Sequence, residues 1–262
     1  MQTIINGARI NYERSGAGFP VIFLHAGIAD SRMWGPQVNA FAKQFDVIRP
    51  DLRGFGKSEL PPNPWSPVDD LLALIDDLGL KPAHLIGCSM GGGVAIDFAL
   101  DHPDRISKLV LVGSSIGGFT FGPEHAHVFA EAAAARMAGD LTALNEAMLH
   151  LFLDGPDRPR GYVAEPLRKL FLEMNGIAVR ADVEKAPPAQ NLLAVSRLHE
   201  ITEQTLVIVG DQDVPTVLEA ADLLAESIPN ARKAVIHDAA HLPNLEHPDE
   251  FNRLVLDFLL AN

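Results

Sequence analysis

Residues 85–93 read LIGCSMGGG and join an apolar run to a pattern with helical spacing. The apolar run ends just before this turn, and residues 94–98 already repeat as a helix does, so no ordinary loop fits between the two. Ser89 must therefore lie on the turn itself. Glycine at positions 87 and 91 suits so sharp a turn, because side chains there would collide with the adjoining strand and helix.

The segment matches the G-x-S-x-G pattern, in which a serine at a strand-to-helix elbow exposes its hydroxyl. The amide after the serine and the helix N-terminus then point at the reacting centre. Two other interpretations stay open on this pattern alone: a glycine-rich turn without chemistry, and a phosphate cradle. A dinucleotide site is disfavoured because G-x-G-x-x-G is absent, and a P-loop is disfavoured because the turn contains no lysine.

Composition limits the class of protein. With 262 residues, 47% of them hydrophobic, the chain is long enough for one α/β domain that carries an insertion. The formal net charge of -13 argues against binding to phosphate backbones or to anionic lipid. We therefore expect neither a nucleic-acid partner nor a membrane partner.

Cysteine usage and the N-terminal residues bear on the compartment. Cys88 is the one cysteine of the chain and cannot form an internal disulfide, so nothing indicates adaptation to an oxidising compartment. Residues 1–7 show no basic region followed by an apolar core, and no apolar run reaches membrane-spanning length. We expect a soluble cytoplasmic protein. The number of subunits stays open, and a homo-oligomer is compatible with the sequence.

Strand and helix patterns alternate along most of the chain. Asn6 and Gly7 form a pair favoured in tight hairpin turns, which predicts two antiparallel strands at the start. Further strands are predicted at residues 20–24, 45–49, 84–86, 108–112, 205–209 and 233–236. Because helical patterns separate these runs, we predict a mostly parallel eight-stranded sheet with right-handed crossovers and flanking helices.

The rhythm changes between residues 117 and 198. This part has no convincing strand, and residues 130–137, 141–152 and 167–174 have helical patterns. We predict a helical cap at 117–198 inserted into a core domain formed by 1–116 and 199–262. The scaffold does not need so large an insertion, and insertions of this kind usually carry function.

A serine nucleophile needs a base, and the base needs an orienting carboxylate. In a parallel α/β sheet such groups collect on the loops at the carboxyl ends of the strands. His241 lies on the loop after the last strand, whereas His237 is still at the strand end, so His241 is the predicted base. The loop after the predicted strand at 205–209 carries two acids, Asp211 and Asp213. Asp213 stands farther from the strand end and is the predicted acid. The alternative for Asp213 is a cap for the helix that follows.

The remaining histidines have no convincing metal-ligand spacing with a carboxylate partner. We therefore expect no metal, and a serine mechanism needs no cofactor.

The chain order Ser89, Asp213, His241 resembles that of the α/β-hydrolase superfamily. Three further segments are similar to motifs of that family and extend the resemblance over nearly the whole chain outside the insertion. They are HAG at 25–27, similar to its His-Gly-x segment, DLRGFGKS at 51–58, similar to its D-x-R-G-x-G-x-S loop, and GDQD at 210–213, similar to its acid loop. Ala26 stands where the family usually has glycine.

The resemblance implies an α/β-hydrolase fold and an oxyanion hole formed by the backbone amides of Gly27 and Met90. Two fixed donors of this kind stabilise negative charge as it develops on the substrate oxygen. We expect His25 and Arg53 to brace loops.

The expected function is that of a serine hydrolase that cleaves carboxylic esters or lactones of small, largely apolar substrates through an acyl-enzyme intermediate. Within the superfamily the sequence resembles small esterases and the enol-lactonases of aromatic degradation. Carbon–carbon bond hydrolases and cofactor-free perhydrolases keep the same triad and are alternatives. So is a non-catalytic small-ligand receptor on this fold. Enzymes with an aspartate nucleophile are disfavoured because Ser89 occupies the elbow.

The insertion is expected to act as a lid and to supply an apolar pocket. The candidates for the pocket wall are Phe119, Phe121, Phe129, Met148 and Phe152. For each of them, packing inside the cap is the alternative.

Overall fold

The computed structural model describes residues 1–61, 64–120, 122–181 and 193–261 and contains one eight-stranded sheet. Its strands are β1 (Gln2–Ile5), β2 (Ala8–Gly16), β3 (Phe19–Leu24), β4 (Phe45–Pro50), β5 (Ala83–Cys88), β6 (Ile106–Val112), β7 (Gln204–Gly210) and β8 (Ala231–Ile236). Their spatial order is β1-β2-β4-β3-β5-β6-β7-β8. All neighbours from β4 to β8 are parallel, and β2 is antiparallel to both β1 and β4. The predicted fold class is confirmed.

The N-terminal hairpin turns at Asn6 and Gly7, whose φ angles of 46° and 80° lie in the left-handed region. Both central residues of a type I′ turn need positive φ, and Asn-Gly meets this need at low cost. The turn sets the register in which Ile5 pairs with Ala8.

Helices cover both faces of the sheet. They are α1 (Gly35–Phe41), α2 (Pro67–Asp77), α3 (Met90–Asp101), α4 (Ala130–Met137), α5 (Leu141–Leu149), α6 (Leu167–Ala181), α7 (Ala194–Arg197), α8 (Pro215–Ser227), α9 (Pro243–Glu246) and α10 (Pro248–Leu260). One core cluster joins α2, α3 and α8 to one face, and a second joins α1 and α10 to the other. Strand β3 supplies Ile22 to the first cluster and Phe23 to the second. Central strands are therefore apolar on both sides, which explains their continuous hydrophobic runs.

Between β6 and β7 the described residues form helices and no strand. The segment predicted as one helix at 141–152 divides into α5 and a π-helical turn at His150–Asp154. Helix α6 extends to Ala181, beyond the predicted end at residue 174. Pro187 and Pro188, which we interpreted as punctuation, lie outside the described residues. The division of the chain at residues 117 and 198 stays a prediction.

The segment after the π-helical turn is built around Asp154, whose side chain is fully buried. This carboxylate accepts hydrogen bonds from the amides of Gly161 and Val163, each at 3.1 Å, and from Arg168 at 2.7 Å. These donors keep the pKa of Asp154 low although burial opposes ionisation. A buried, fully bonded carboxylate thus holds residues 154–168 in a defined path.

None of the helices in the described ranges has both the length and the apolar surface needed to cross a bilayer.

Candidate active site

The elbow at Ser89 has strained backbone angles, with φ 53° and ψ −115°. A non-glycine residue rarely adopts positive φ, so the surrounding structure must hold it there. The Ser89 amide donates to the carbonyl of Val112 at 2.9 Å, and the Ser89 carbonyl accepts from the amide of Gly93 at 3.0 Å. A Cβ at Gly87 would overlap the carbonyl oxygen of Gly91, so the helix can follow the strand this closely only with glycine there.

The predicted base and acid form a buried pair. Nδ1 of His241 lies 2.7 Å from Oδ2 of Asp213, and the two residues are only 2% and 4% exposed. The other carboxylate oxygen of Asp213 accepts from the amide of Val214 at 2.8 Å. Since an ionised carboxylate can only accept, Nδ1 is the donor, and Nε2 of a neutral imidazole is then free to take a proton. Helix α8 begins without a side-chain cap, so Asp213 does not serve as its cap.

Asp211 and His237 lie on the same two loops as Asp213 and His241 but pair with each other. Asp211 accepts from the amide of Asp238 at 2.8 Å and pairs with Nδ1 of His237 at 2.9 Å. The side chain of His237 is 83% exposed. Asp211 and His237 therefore fasten the acid loop to the end of β8.

The pair reaches the elbow because β5, β6, β7 and β8 are neighbours in the sheet and end at the same edge. The carbonyl oxygen of His241 is 3.8 Å from Sγ of Cys88, the residue before Ser89. Gly113, which follows β6 with φ 48°, lies so close to the pair that a side chain would be crowded there: a Cβ would lie 3.2 Å from the His241 ring and 3.3 Å from Asp213. The structure contains no hydrogen bond between Oγ of Ser89 and Nε2 of His241. Such bonds often tighten only when substrate is present.

The two residues predicted to supply the oxyanion donors, Gly27 and Met90, lie next to each other. A Cβ on Gly27 would lie 3.5 Å from Sδ of Met90, so the two residues are in contact. Among the described residues, neither backbone amide has a hydrogen-bond acceptor. Ala26, where the family usually has glycine, is fully buried, and its amide donates to Sδ of Met33 at 3.3 Å. The methyl group of Ala26 therefore lies in the core.

His25 and Arg53 hold loops together. Nδ1 of His25 donates to the carbonyl of Ala26 at 2.8 Å, and Nε2 accepts from the amide of Leu52 at 2.9 Å. Complete burial lowers the pKa of His25, which favours the neutral form that this bonding pattern needs. Arg53 binds both oxygens of Asp70, at 2.7 and 2.8 Å.

A cavity of about 360 Å³ lies along α3, next to the elbow. Gly93 supplies no side chain to it, which leaves space on the helix face one turn after Ser89. Its lining is largely apolar: Leu52, Trp65, Pro67, Met90, Gly93, Val94, Asp97, Ser115, Ile116, Gly117, Gly118, Phe119 and Thr120. Met90 is thus both the predicted oxyanion residue and part of the cavity wall.

Part of this wall comes from the predicted cap, through residues 117–120. Phe119 lines the cavity, whereas Phe129, Met148 and Phe152 do not, and Phe121 lies outside the described residues. The rest of the wall comes from the first two turns of α3 and from core residues such as Leu52, Trp65 and Ile116. Trp65 was missed; an aromatic residue within a polar, proline-rich loop is the signal that could have indicated it.

Phe152 instead packs on the predicted base. Its ring centroid is 4.9 Å from that of His241, and its carbonyl accepts from the His241 amide at 3.2 Å. Nearby, Arg158 and the hydroxyl of Tyr162 bind the carboxylate of Asp238, with the Tyr162 bond at 2.8 Å. The π-helical turn and the segment after it therefore rest directly on the loop that carries His241.

Within the described residues, no three or more His, Cys, Asp and Glu side chains are grouped as metal ligands.

Comparison with known proteins agrees with the fold. The family model described as alpha/beta hydrolase fold matches residues 20–248. The 2-hydroxymuconate semialdehyde hydrolase of Pseudomonas putida is 31% identical over 97% of this chain and 91% of its own length. The enol-lactonase of Burkholderia xenovorans LB400 is 30% identical, with a TM-score of 0.81 and complete coverage of both chains. Est816, an N-acyl homoserine lactone degrading enzyme, is 29% identical, with a TM-score of 0.81 and coverage of 98% of this chain and 100% of its own. With this match across most of its length, the protein belongs to the α/β-hydrolase family.

Proposed function

We propose that this protein is a serine hydrolase that cleaves carboxylic esters or lactones of small, largely apolar compounds. The observation that carries the proposal is the buried 2.7 Å contact between His241 and Asp213 at the sheet edge where Ser89 is held in a strained turn. A buried imidazole with a fixed carboxylate partner is suited to accept a proton, and a serine at an elbow is suited to attack.

In this proposal, Nε2 of His241 takes the hydroxyl proton of Ser89 while Oγ bonds to the substrate carbonyl carbon. The electron pair of the C=O bond moves to oxygen, and the amides of Gly27 and Met90 stabilise that charge. The C–O bond to the alcohol then breaks, and His241 gives the proton to the leaving oxygen. Water attacks the acyl-enzyme by the same steps in reverse and restores Ser89.

The cavity beside Met90 supports the preference for small, apolar groups. Its volume of about 360 Å³ is at the lower end of ordinary ligand sites. Leu52, Val94 and Ile116 supply apolar surface, and such surface favours hydrocarbon over charged groups. Similarity to an enol-lactonase and to a lactone-degrading enzyme supports cyclic esters as substrates alongside open-chain ones.

A second candidate is hydrolysis of a carbon–carbon bond next to a ketone. The similarity to a 2-hydroxymuconate semialdehyde hydrolase favours it. The same serine, base and oxyanion donors would act, but the leaving group would be carbon, which must be protonated as the bond breaks.

A substrate panel tests the proposal and separates the two candidates. The panel contains p-nitrophenyl esters of increasing acyl length, small lactones and vinylogous 1,5-diketones, each assayed with the native protein and with Ser89→Ala. We expect ester or lactone turnover that Ser89→Ala abolishes. Turnover of the diketones alone would replace the proposed function by the second candidate. Turnover that persists undiminished in Ser89→Ala would contradict both.

A further inference from the structure

We propose that Glu246 is a positioning residue for the predicted base: its carboxylate holds the backbone amide of Ala240, next to His241, and so helps to fix the orientation of the imidazole toward Ser89. This inference rests on the proposed function of Ser89 and His241. It concerns a side chain that has no place in the mechanism given above and to which the sequence analysis assigned no role.

Helix α9 places Glu246 near the predicted base. It is a single helical turn that follows the loop carrying His241, the base loop. Pro243 begins this turn, and Glu246 ends it with its side chain directed back toward the loop. Both carboxylate oxygens of Glu246 lie 3.0 Å from the amide of Ala240, the residue before His241. The backbone of Leu242, the residue after His241, acts on the same carboxylate and favours its ionised form. One side chain therefore holds the backbone of the residue that precedes the base.

The carboxylate is placed where ionisation is costly. Burial raises the pKa of Glu246 to about 7, and the nearby charge of Asp213 adds to the increase. The amide donors and the guanidinium of Arg158, which lies on the segment after the π-helical turn, act in the opposite direction. Tyr162, from the same segment, also experiences the charge of Glu246. His237, Asp238, His241 and His247 are the other titratable groups on the loop that carries His241 and on its continuation.

Ionisation changes how firmly the loop is held. An ionised carboxylate accepts charge-assisted hydrogen bonds, which are roughly twice as strong as neutral ones. The oxygens of a protonated carboxyl group are weaker acceptors. Its O–H group also faces a backbone N–H, which cannot accept a hydrogen bond. The His241 backbone is therefore held more firmly above pH 7 than below it. Small displacements of a catalytic group have large effects on rate, up to about a hundredfold for 1 Å.

The test compares Glu246→Gln with native protein, with Glu250→Gln as the matched control. Glutamine is nearly isosteric but stays neutral, and Glu250 is an exposed acid on the next helix. We expect Glu246→Gln to lower kcat for the best panel ester by about tenfold at about pH 8.5, with KM unchanged, and by less than about twofold at about pH 5.5. Glu250→Gln should follow the native profile. A merely structural defect would lower kcat equally at both pH values and would overturn the proposal.

A second measurement does not depend on activity. Hydrogen exchange at the Ala240 amide should be slow in native protein at about pH 8.5 and at least about tenfold faster in Glu246→Gln, after correction for intrinsic rates. Equal protection in the two proteins would overturn the positioning role. If the native protein turns over no ester, lactone or ketone, the proposed function fails, and the exchange result alone still decides whether Glu246 holds the loop.

Discussion

At the scale of single residues, the Asp213 carboxylate fixes one tautomer of His241. Its bond to Nδ1 leaves Nε2 unprotonated, which is the form that can accept the serine proton. An amide in place of the carboxylate can donate to Nδ1 and favour the wrong tautomer. We therefore expect Asp213→Asn to fold normally and to lower kcat by roughly 10⁴-fold, the scale of this change in another serine hydrolase.

The control for this prediction is Asp211→Asn. Asp211 lies on the same loop but binds His237 and the Asp238 amide instead of the base. Its kcat should stay within about tenfold of the native value. Steady-state kinetics with circular dichroism as the folding check would decide the matter. Comparable losses of kcat in both variants would mean that the kcat depends on the structure of the loop and not on the Asp213 carboxylate.

The raised pKa of Glu246 predicts that the free energy of unfolding depends on pH. Its pKa is near 7 when folded and 4.5 as an ordinary glutamate, so the folded state binds the proton more tightly. Stability from this group is therefore present at low pH and is lost as pH rises from about 4.5 to 7. Glu246→Gln has no such loss. Between about pH 5 and pH 8, its free energy of unfolding should rise relative to native by about 2 kcal/mol.

Urea denaturation of both proteins at the two pH values measures this difference. A change of opposite sign, or none, would show that burial does not oppose ionisation of Glu246. With the kinetics proposed above, the variant is expected to gain stability relative to native protein as the pH rises while it becomes relatively less active, as is common where a site sacrifices stability for function.

At the scale of elements, α3 does two things. Its N-terminus presents Ser89 and Met90, and its next turn leaves a cavity because residue 93 is glycine. A side chain at Gly93 would enter that space, with its Cβ 2.6 Å from Oγ of Ser115, which would have to rotate. Gly93→Leu should therefore lower kcat/KM at least about tenfold for long acyl esters and less than about threefold for acetate.

The p-nitrophenyl ester series measures this change in acyl-length preference. Asp101→Leu, at the exposed end of the same helix, is the control and should keep the native preference. A uniform loss across all chain lengths in Gly93→Leu would indicate damage to the elbow, and an unchanged preference would place the acyl group elsewhere.

Site residues that directly follow a strand could be predicted from the sequence, whereas those on irregular loops could not. Ser89, Asp213 and His241 could be placed because each follows a recognisable strand, and parallel strands end at one edge of the sheet. The cavity wall could not, because Trp65 reaches it from a loop without regular structure. Glu246 was missed since its role depends on how α9 turns back on the base loop.

At the scale of the whole molecule, one buried ion pair ties the antiparallel end of the sheet to α2. Arg53, with a side chain 1% exposed, binds Asp70 of that helix and also donates to the carbonyls of Ile5 and Asn6 at the hairpin. Removing one partner leaves an uncompensated buried charge. Arg53→Leu should therefore lower the free energy of unfolding by about 3 to 5 kcal/mol.

Denaturant unfolding of Arg53→Leu measures this loss, and Arg9→Leu is the control because its pair with Glu59 is about half exposed. The control should change stability by less than about 1 kcal/mol. A similar small change in both variants would mean that the hairpin is held by apolar packing alone.

The central claim is that distant parts of the chain converge to make the Ser89 hydroxyl reactive. Labelling with a fluorophosphonate, followed by mass spectrometry of the digested protein, tests it most directly. We expect a single adduct on Ser89 in the native protein, and labelling at least about 10³-fold slower in His241→Ala. Native protein that stays unlabelled at Ser89, or labelling that is equally fast without His241, would contradict the account.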